Sequence, residues 1–354
     1  MNTEASANAV TTGIPLTFND SLPSYTVVGG KERRASSGLS AVILNRGGLQ
    51  RYTFFRELEK SGFDSVLSME NPSSRYDLED LSAAFPFVRF ILLKDSISSG
   101  EEINLAASEL NSPLFFVMRN DMRILRGGTA ERMAERLESK NGNSKGEYKR
   151  LCTVPLIQDI NREIIPTLIT PALITEKNSW YRAAKTSIKT IPFTVLKEGL
   201  PSLYPFGGIG IYDRERFIRF GGFDPSIKMF YWQLMDFGFR SGLWGEEIAA
   251  TQLIKLSYES DIPEEDSTAG MDFLRFFLKN ISPVFRGDYA HLPLRRFFSY
   301  FRLRGSFFEA KSEFRTVREW VKINRYRWNS DARTITERFV FPDDIADDNL
   351  REFP

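Results

Sequence analysis

Four apolar segments of the chain each run out into groups that could hold or transfer charge. Asn45 and Arg46 follow LSAVIL, and Glu70 and Asn71 end DSVLSMEN. Asp95 and Ser96 follow FVRFILLK, and Arg119, Asn120 and Asp121 follow LFFVM. Carboxylates in such positions could bind a cation or exchange protons, while guanidinium and amide groups could hold phosphate oxygens or sugar hydroxyls. One polar strand end is what any strand shows on reaching solvent; four along one edge describe a crevice. Farther on, Asp213, Asp224 and Asp236 are further acids. A single histidine, His291, and a single cysteine, Cys152, count against a zinc site, a Ser-His-Asp mechanism and an intramolecular disulfide. Carboxylates must then carry any acid–base work.

The elements that would position these groups follow from periodicity. Segments 39–45, 64–70, 87–95 and 114–118 are apolar on both alternations, the pattern of strands covered on both faces. Between them, Leu49, Tyr52, Phe55 and Leu58 recur at helical spacing with Gly62 as a stop, and Asp77 with Asp80 caps a helix over DLEDLSAAF. Ser99 and Glu102 offer a capping box for GEEINLAASEL. The order β-α-β-α-β-α-β predicts an α/β fold with a doubly wound, mostly parallel central sheet, whose ligands sit beyond the carboxyl ends of the strands.

Residues 1–35, rich in Ser, Thr, Ala and Asn, read as a flexible leader, and 36–270 as the main domain. From 271 a helical extension begins, aromatic and basic, closing in an acidic tail to 354. Its aromatics are expected to cap the main domain; the competing reading is peripheral membrane contact through 271–312, where RRFFSYFRLRGSFF would meet an anionic surface. With 47 basic residues against 46 acidic, no global field recruits nucleic acid. No apolar run is long enough to span a bilayer and the N-terminus lacks a secretory pattern, so a cytoplasmic protein is expected, free or at the inner face of the membrane.

Three stretches resemble the GT-A-fold glycosyltransferases, the nucleotide-diphospho-sugar transferase superfamily, and in particular its inverting family 2. FDSVLSMENPSSRYD looks like a second strand ending in an acid near the nucleotide base. DSISSGEEINLAASELNSPLFFVMRND looks like a glycine-containing loop, an Asn-bearing helix and a strand ending in an Asp-x-Asp metal motif. GGIGIYDRERFIRFGGFDPSI, with its GGFD block, is the most specific match. The resemblance spans roughly 39–260.

It implies a GT-A fold and transfer of a sugar from a nucleotide-diphosphate donor to a hydroxyl acceptor, with inversion. Asn45, Arg46, Glu70, Asn71, Gly100, Asn104, Arg119, Asn120 and Asp121 would bind the nucleotide sugar. Gly207, Gly208, Trp232 and Arg240 would meet the sugar or acceptor. Asp121 would hold a divalent cation, Mg2+ or Mn2+, and Asp236, beside Gln233, would be the base on the helix after GGFD. Two departures bear on this. Arg119 stands where the first metal acid belongs, so the cation is expected to be weak or absent. The family's Glu-Asp pair falls on Gln233 and Leu234, which leaves Asp236 from a shifted register or a catalytically inactive sugar-nucleotide-binding protein of the same fold. The NRGGLQR loop after the first strand admits a third reading, a sugar nucleotidyltransferase. GGIG lacks the third glycine and the context of a dinucleotide fingerprint.

Overall fold

A computed structural model of the chain describes residues 23–30, 37–46, 51–72, 78–140, 150–176, 185–194 and 197–339. The four apolar segments are strands β2 (Leu39–Leu44), β3 (Val66–Glu70), β4 (Val88–Leu93) and β5 (Leu114–Arg119), preceded by β1 (Tyr25–Gly29). They alternate with helices α1 (Arg51–Ser61), α2 (Leu78–Ala84) and α3 (Ser99–Glu109). Strands β4-β3-β2-β5 are mutually parallel in that spatial order, the doubly wound arrangement that the strand–helix alternation predicts. Successive residues of β2 serve opposite cores: Val42 and Leu44 pack with α3, while Ala41 and Ile43 pack with α1 and α2. Burial on both faces is why these strands read as unbroken apolar runs.

The expected leader contains a correction. Residues 25–29 are an edge strand, β1, antiparallel to β4 from Tyr25↔Leu93 to Gly29↔Arg89. β-branched Thr26, Val27 and Val28 suit that ladder, and Tyr25 Oη anchors it by donating to Glu109 Oε1 at 2.6 Å. The α3 capping box also slips by one residue. Ser98, not Ser99, is the N-cap, paired reciprocally with Glu101. SISSGEE satisfies the pattern in two registers, and packing selects the one that turns Gly100 and Asn104 toward the rest of the fold. The Asp77 cap, Gly47, Gly48, Leu49 and the acidic tail lie outside the described residues.

Beyond β5 the chain turns at Asn120–Asp121 into β6 (Met122–Arg126), then α4 (Ala130–Lys140), β7 (Cys152–Gln158) and the hairpin β8 (Leu168–Glu176) and β9 (Lys185–Phe193). Strand β10 (Gly210–Asp213) inserts antiparallel between β5 and β7; α5 (Arg214–Phe220), α6 (Phe230–Trp244) and β11 (Ile248–Tyr258) follow. The sheet order is β1-β4-β3-β2-β5-β10-β7-β11-β6. The extension consists of α7 (Met271–Phe276) with a π turn over Phe277–Ile281, the short β12 (Val284–Phe285) and β13 (Ala290–His291), then α8 (Arg295–Arg304), α9 (Phe307–Ile323) and α10 (Ala332–Arg338). It shares the core of the main domain: Trp320 of α9 stacks on Trp244 of α6, ring centres 5.7 Å apart.

Candidate functional site

The carboxyl ends of β2, β3 and β5 meet at one edge. Glu70, fully buried, accepts from Asn45 Nδ2 and Ser68 Oγ at 2.6 Å each and forms an ion pair with buried Arg51. A carboxylate so engaged supports the crevice floor. This corrects its expected role of meeting the nucleotide base directly. Asn71 only reaches back to Asn45 O at 3.5 Å. The Asn120–Asp121 turn is tied to the end of β2: Arg46 N donates to Asn120 Oδ1 at 2.9 Å, and Arg46 Nη1 meets Asp121 Oδ2 at 2.7 Å. Ser260 Oγ donates to the same oxygen at 2.6 Å.

Asp121 was expected to hold a metal, and its Oδ1 has no partner among the described residues. One oxygen is paired with Arg46, Arg119 stands two residues away, and among the described residues no three His, Cys, Asp or Glu side chains gather to hold an ion.

Arg119 ends β5. It is 9% exposed, its Nε finds no acceptor among the described residues, and it lines a cavity of about 300 Å³. Its charge acts on the carboxyls of Glu102 and Glu265, while Nε remains an unused donor among the described residues. Phe206, Gly207, Tyr231, Leu234 and Glu265 share the cavity. Gly207 has φ 57°, so a side chain would be strained there, and its Cβ would stand in van der Waals contact with Arg119 Nη2 at 3.8 Å. Gly208, φ 74°, is closed against Phe230, where a Cβ would come within 2.8 Å.

Glu265 was not anticipated. It enters from the loop after β11, where PEEDSTAG shows no periodicity, and only the folded chain brings it opposite Leu234. Tyr204 Oη donates to its Oε2 at 3.2 Å, and its Oε1 has no partner among the described residues. Burial pushes its pKa up, against the pull of Tyr204, the Gly207 amide and Arg119.

Glu102, also unanticipated, is a buried acid on α3 whose pKa is pushed up to about 8. Burial is the main cause; Arg119 opposes it and Glu70 reinforces it. Folding therefore keeps a proton on Glu102 that the unfolded chain releases from about pH 4.5 upward, so stability falls as pH rises through 8. Glu102→Gln should raise the melting temperature at pH 8–9, by a stability increment on the order of a few kcal/mol, and leave it unchanged below pH 4.5. Melting curves across pH check this; an equal shift at every pH would contradict it.

Helix α6 brings the largest correction. Asp236 is 0% exposed, bonded to Arg240 Nε at 2.8 Å, Lys279 Nζ at 2.9 Å and Asn280 Nδ2 at 2.8 Å. So enclosed, it sits as a structural anchor of α6 rather than facing the cavity, as the expected base would. Arg240, equally buried, continues to Phe220 O and Gly222 O. Gln233 donates to Ser98 Oγ, Asp224 O and Ile227 O, and a Cβ on Gly100 would come within 2.5 Å of its Oε1. Asn104 clasps Phe223, accepting from its N at 2.9 Å and donating to its O at 2.8 Å. Trp232 Nε1 donates to Thr268 O, and its ring packs on Phe273 and Phe276. Gly100, Asn104, Trp232, Gln233, Asp236 and Arg240 therefore assemble the wall behind the site. Leu234 alone of the expected base register faces the cavity.

No protein-family model matches the chain, and no curated protein matches it. Among solved structures, the crystal structure of GalNAc-T7 with UDP, GalNAc and Mn2+ superposes with a TM-score of 0.51 at 13% identity, over 71% of this chain and 48% of that one. The fold is GT-A. The chain spans about half the length of GalNAc-T7. S. aureus TarS gives a TM-score of 0.44 at 12% identity, over 68% of this chain and 38% of that one; TarS 1–349 in complex with UDP-GlcNAc gives 0.41 at 12%, over 68% and 64%.

Proposed function

We propose that this protein is an inverting glycosyltransferase that binds a nucleotide-diphosphate sugar across the ends of β2, β3 and β5. The observation that carries this is Arg119, a buried guanidinium whose Nε has no hydrogen-bond acceptor among the described residues, facing a cavity at the crevice where a doubly wound sheet binds ligands. A leaving diphosphate gathers negative charge, and a pre-positioned guanidinium stabilises it without reorganisation. On this reading Arg119 does electrostatically what a bound cation does elsewhere, and donor binding needs no metal. Phe206 and Tyr231 offer aromatic surface to the sugar, and Glu265, across the cavity, takes the proton of the attacking hydroxyl. GalNAc-T7 was solved with UDP, which makes uridine donors the first to try.

The second reading is a binding protein of the same fold without transferase activity. Leu234 at the expected base position and the burial of Asp236 favour it. A thermal-shift panel of UDP-, GDP-, dTDP- and CMP-sugars, with and without manganese, tests the proposal. One nucleotide diphosphate class should raise the melting temperature equally with manganese or with EDTA, and release of free sugar separates enzyme from binder. No shift with any donor would sink both readings.

A further inference from the structure

A second cavity lies far along the chain from these residues. It occupies about 900 Å³ in the extension and is walled by the β12–β13 hairpin, the start of α8 and one face of α9. None of its lining residues lines the Arg119 cavity.

Its two kinds of lining are arranged along one helix. Lys311, Arg315, Arg318 and Lys322 follow each other at spacings of four, three and four on α9, so they form one stripe about 16 Å long. Arg325 extends it just past the helix. Glu319 is the one acid in the lining, and its exposed pair with Arg315 at 3.1 Å neutralises little. Lys311, Arg318 and Lys322 have no acidic partner among the described residues. Beneath the stripe the floor is hydrocarbon and aromatic: Leu292, Phe297, Phe307 and Phe314.

Next to the groove the α8–α9 turn leaves large apolar side chains in water. Phe308 is 83% exposed, Phe298 69%, Leu303 64% and Leu294 62%. Arg295 and Arg296 stand beside them, also exposed. Exposed aromatics flanked by cations, over an apolar trough with a basic rim, match one chemistry: a hydrocarbon chain attached to a negative headgroup.

We propose that this face seats on an anionic membrane and that the groove takes one anionic lipid from it. The acyl chain lies along Phe297, Phe307 and Phe314, and the headgroup rests on the Lys311–Lys322 stripe. Phe298 and Phe308 enter the headgroup boundary. No helix among the described residues is long and apolar enough to cross a membrane, so attachment is from one side and reversible. The inference stands independently of the donor reading.

Co-sedimentation of the full chain with vesicles tests it. The protein should bind vesicles of phosphatidylcholine containing phosphatidylglycerol, bind pure phosphatidylcholine weakly, and release as salt rises. Arg318→Gln/Lys322→Gln removes two exposed charges and should weaken binding about thirtyfold, at about fivefold per cation. Phe298→Ser/Phe308→Ser should weaken it with the salt dependence unchanged. In Phe307→Trp, brominated acyl chains should quench fluorescence beyond the loss in the parent, which reports a chain in the groove. All these side chains are exposed, so melting temperatures should hold. Equal binding to neutral and anionic vesicles would overturn the proposal, as would indifference to the Arg318/Lys322 pair or absence of quenching. Capture of an acidic amphipathic peptide with no response to vesicles would assign the groove to a protein partner instead.

Discussion

Glu265→Gln is expected to lower sugar transfer by roughly two to four orders of magnitude while donor affinity stays within a fewfold. An acceptor hydroxyl must lose a proton as it attacks, and the acids near the family's usual base position are spent on structure. Asp213 caps α5 by accepting from Arg216 N, Asp224 is buried against Lys279, and Asp236 is enclosed on α6. Glu265 shares the cavity with Arg119 and keeps one oxygen unpartnered. Its raised pKa brings the carboxylate nearer the operating pH, where a general base works best. The acid limb of the rate profile should accordingly lie above that of an ordinary glutamate. Single-turnover kinetics separates the transfer step from binding; undiminished transfer in this variant would remove Glu265 from the mechanism.

Asp236→Asn should destabilise the protein by about 3–5 kcal/mol, the cost of leaving buried charge uncompensated. Asp224, Asp236, Arg240, Arg275 and Lys279 form one enclosed network that joins the GGFD turn, α6 and the π turn. The widened π turn presents Lys279 and Asn280 together to Asp236. Burial alone would raise the Asp224 pKa, but Lys279 and Arg275 outweigh it and hold the group at about 2. Its stabilisation is thus present above the ordinary carboxylate pKa near 3.8 and lost as pH falls through 2. Urea unfolding of the variant checks the size of the effect. Unchanged stability with abolished transfer would restore Asp236 as the base.

Strands β2 to β5 were legible because burial on both faces writes itself into consecutive apolar residues, and their polar ends marked the crevice edge. The GGFD block was equally legible as a motif, but the buried ion network around it was not. Spacing puts Asp224 and Asp236 near the site, but only the return of the extension brings Lys279, 43 residues beyond Asp236, into contact and converts both acids into anchors. Arg119 was readable as a cation in place of the first acid of a metal motif. Glu265 was not, since an acid in an aperiodic loop carries no signal of what it will face. Glu102 sits on a helical face with Leu105 and Ala106, where its burial could have been read had the capping register been right.

The most direct measurement is calorimetric titration of the best donor of the panel into the parent protein and into Arg119→Met, both in EDTA. The parent should bind without metal, and removing the guanidinium should weaken binding at least a hundredfold, as expected for a charge-assisted contact worth about 3 kcal/mol. Unaltered donor affinity in Arg119→Met, or binding by the parent that appears only when manganese is restored, would contradict this.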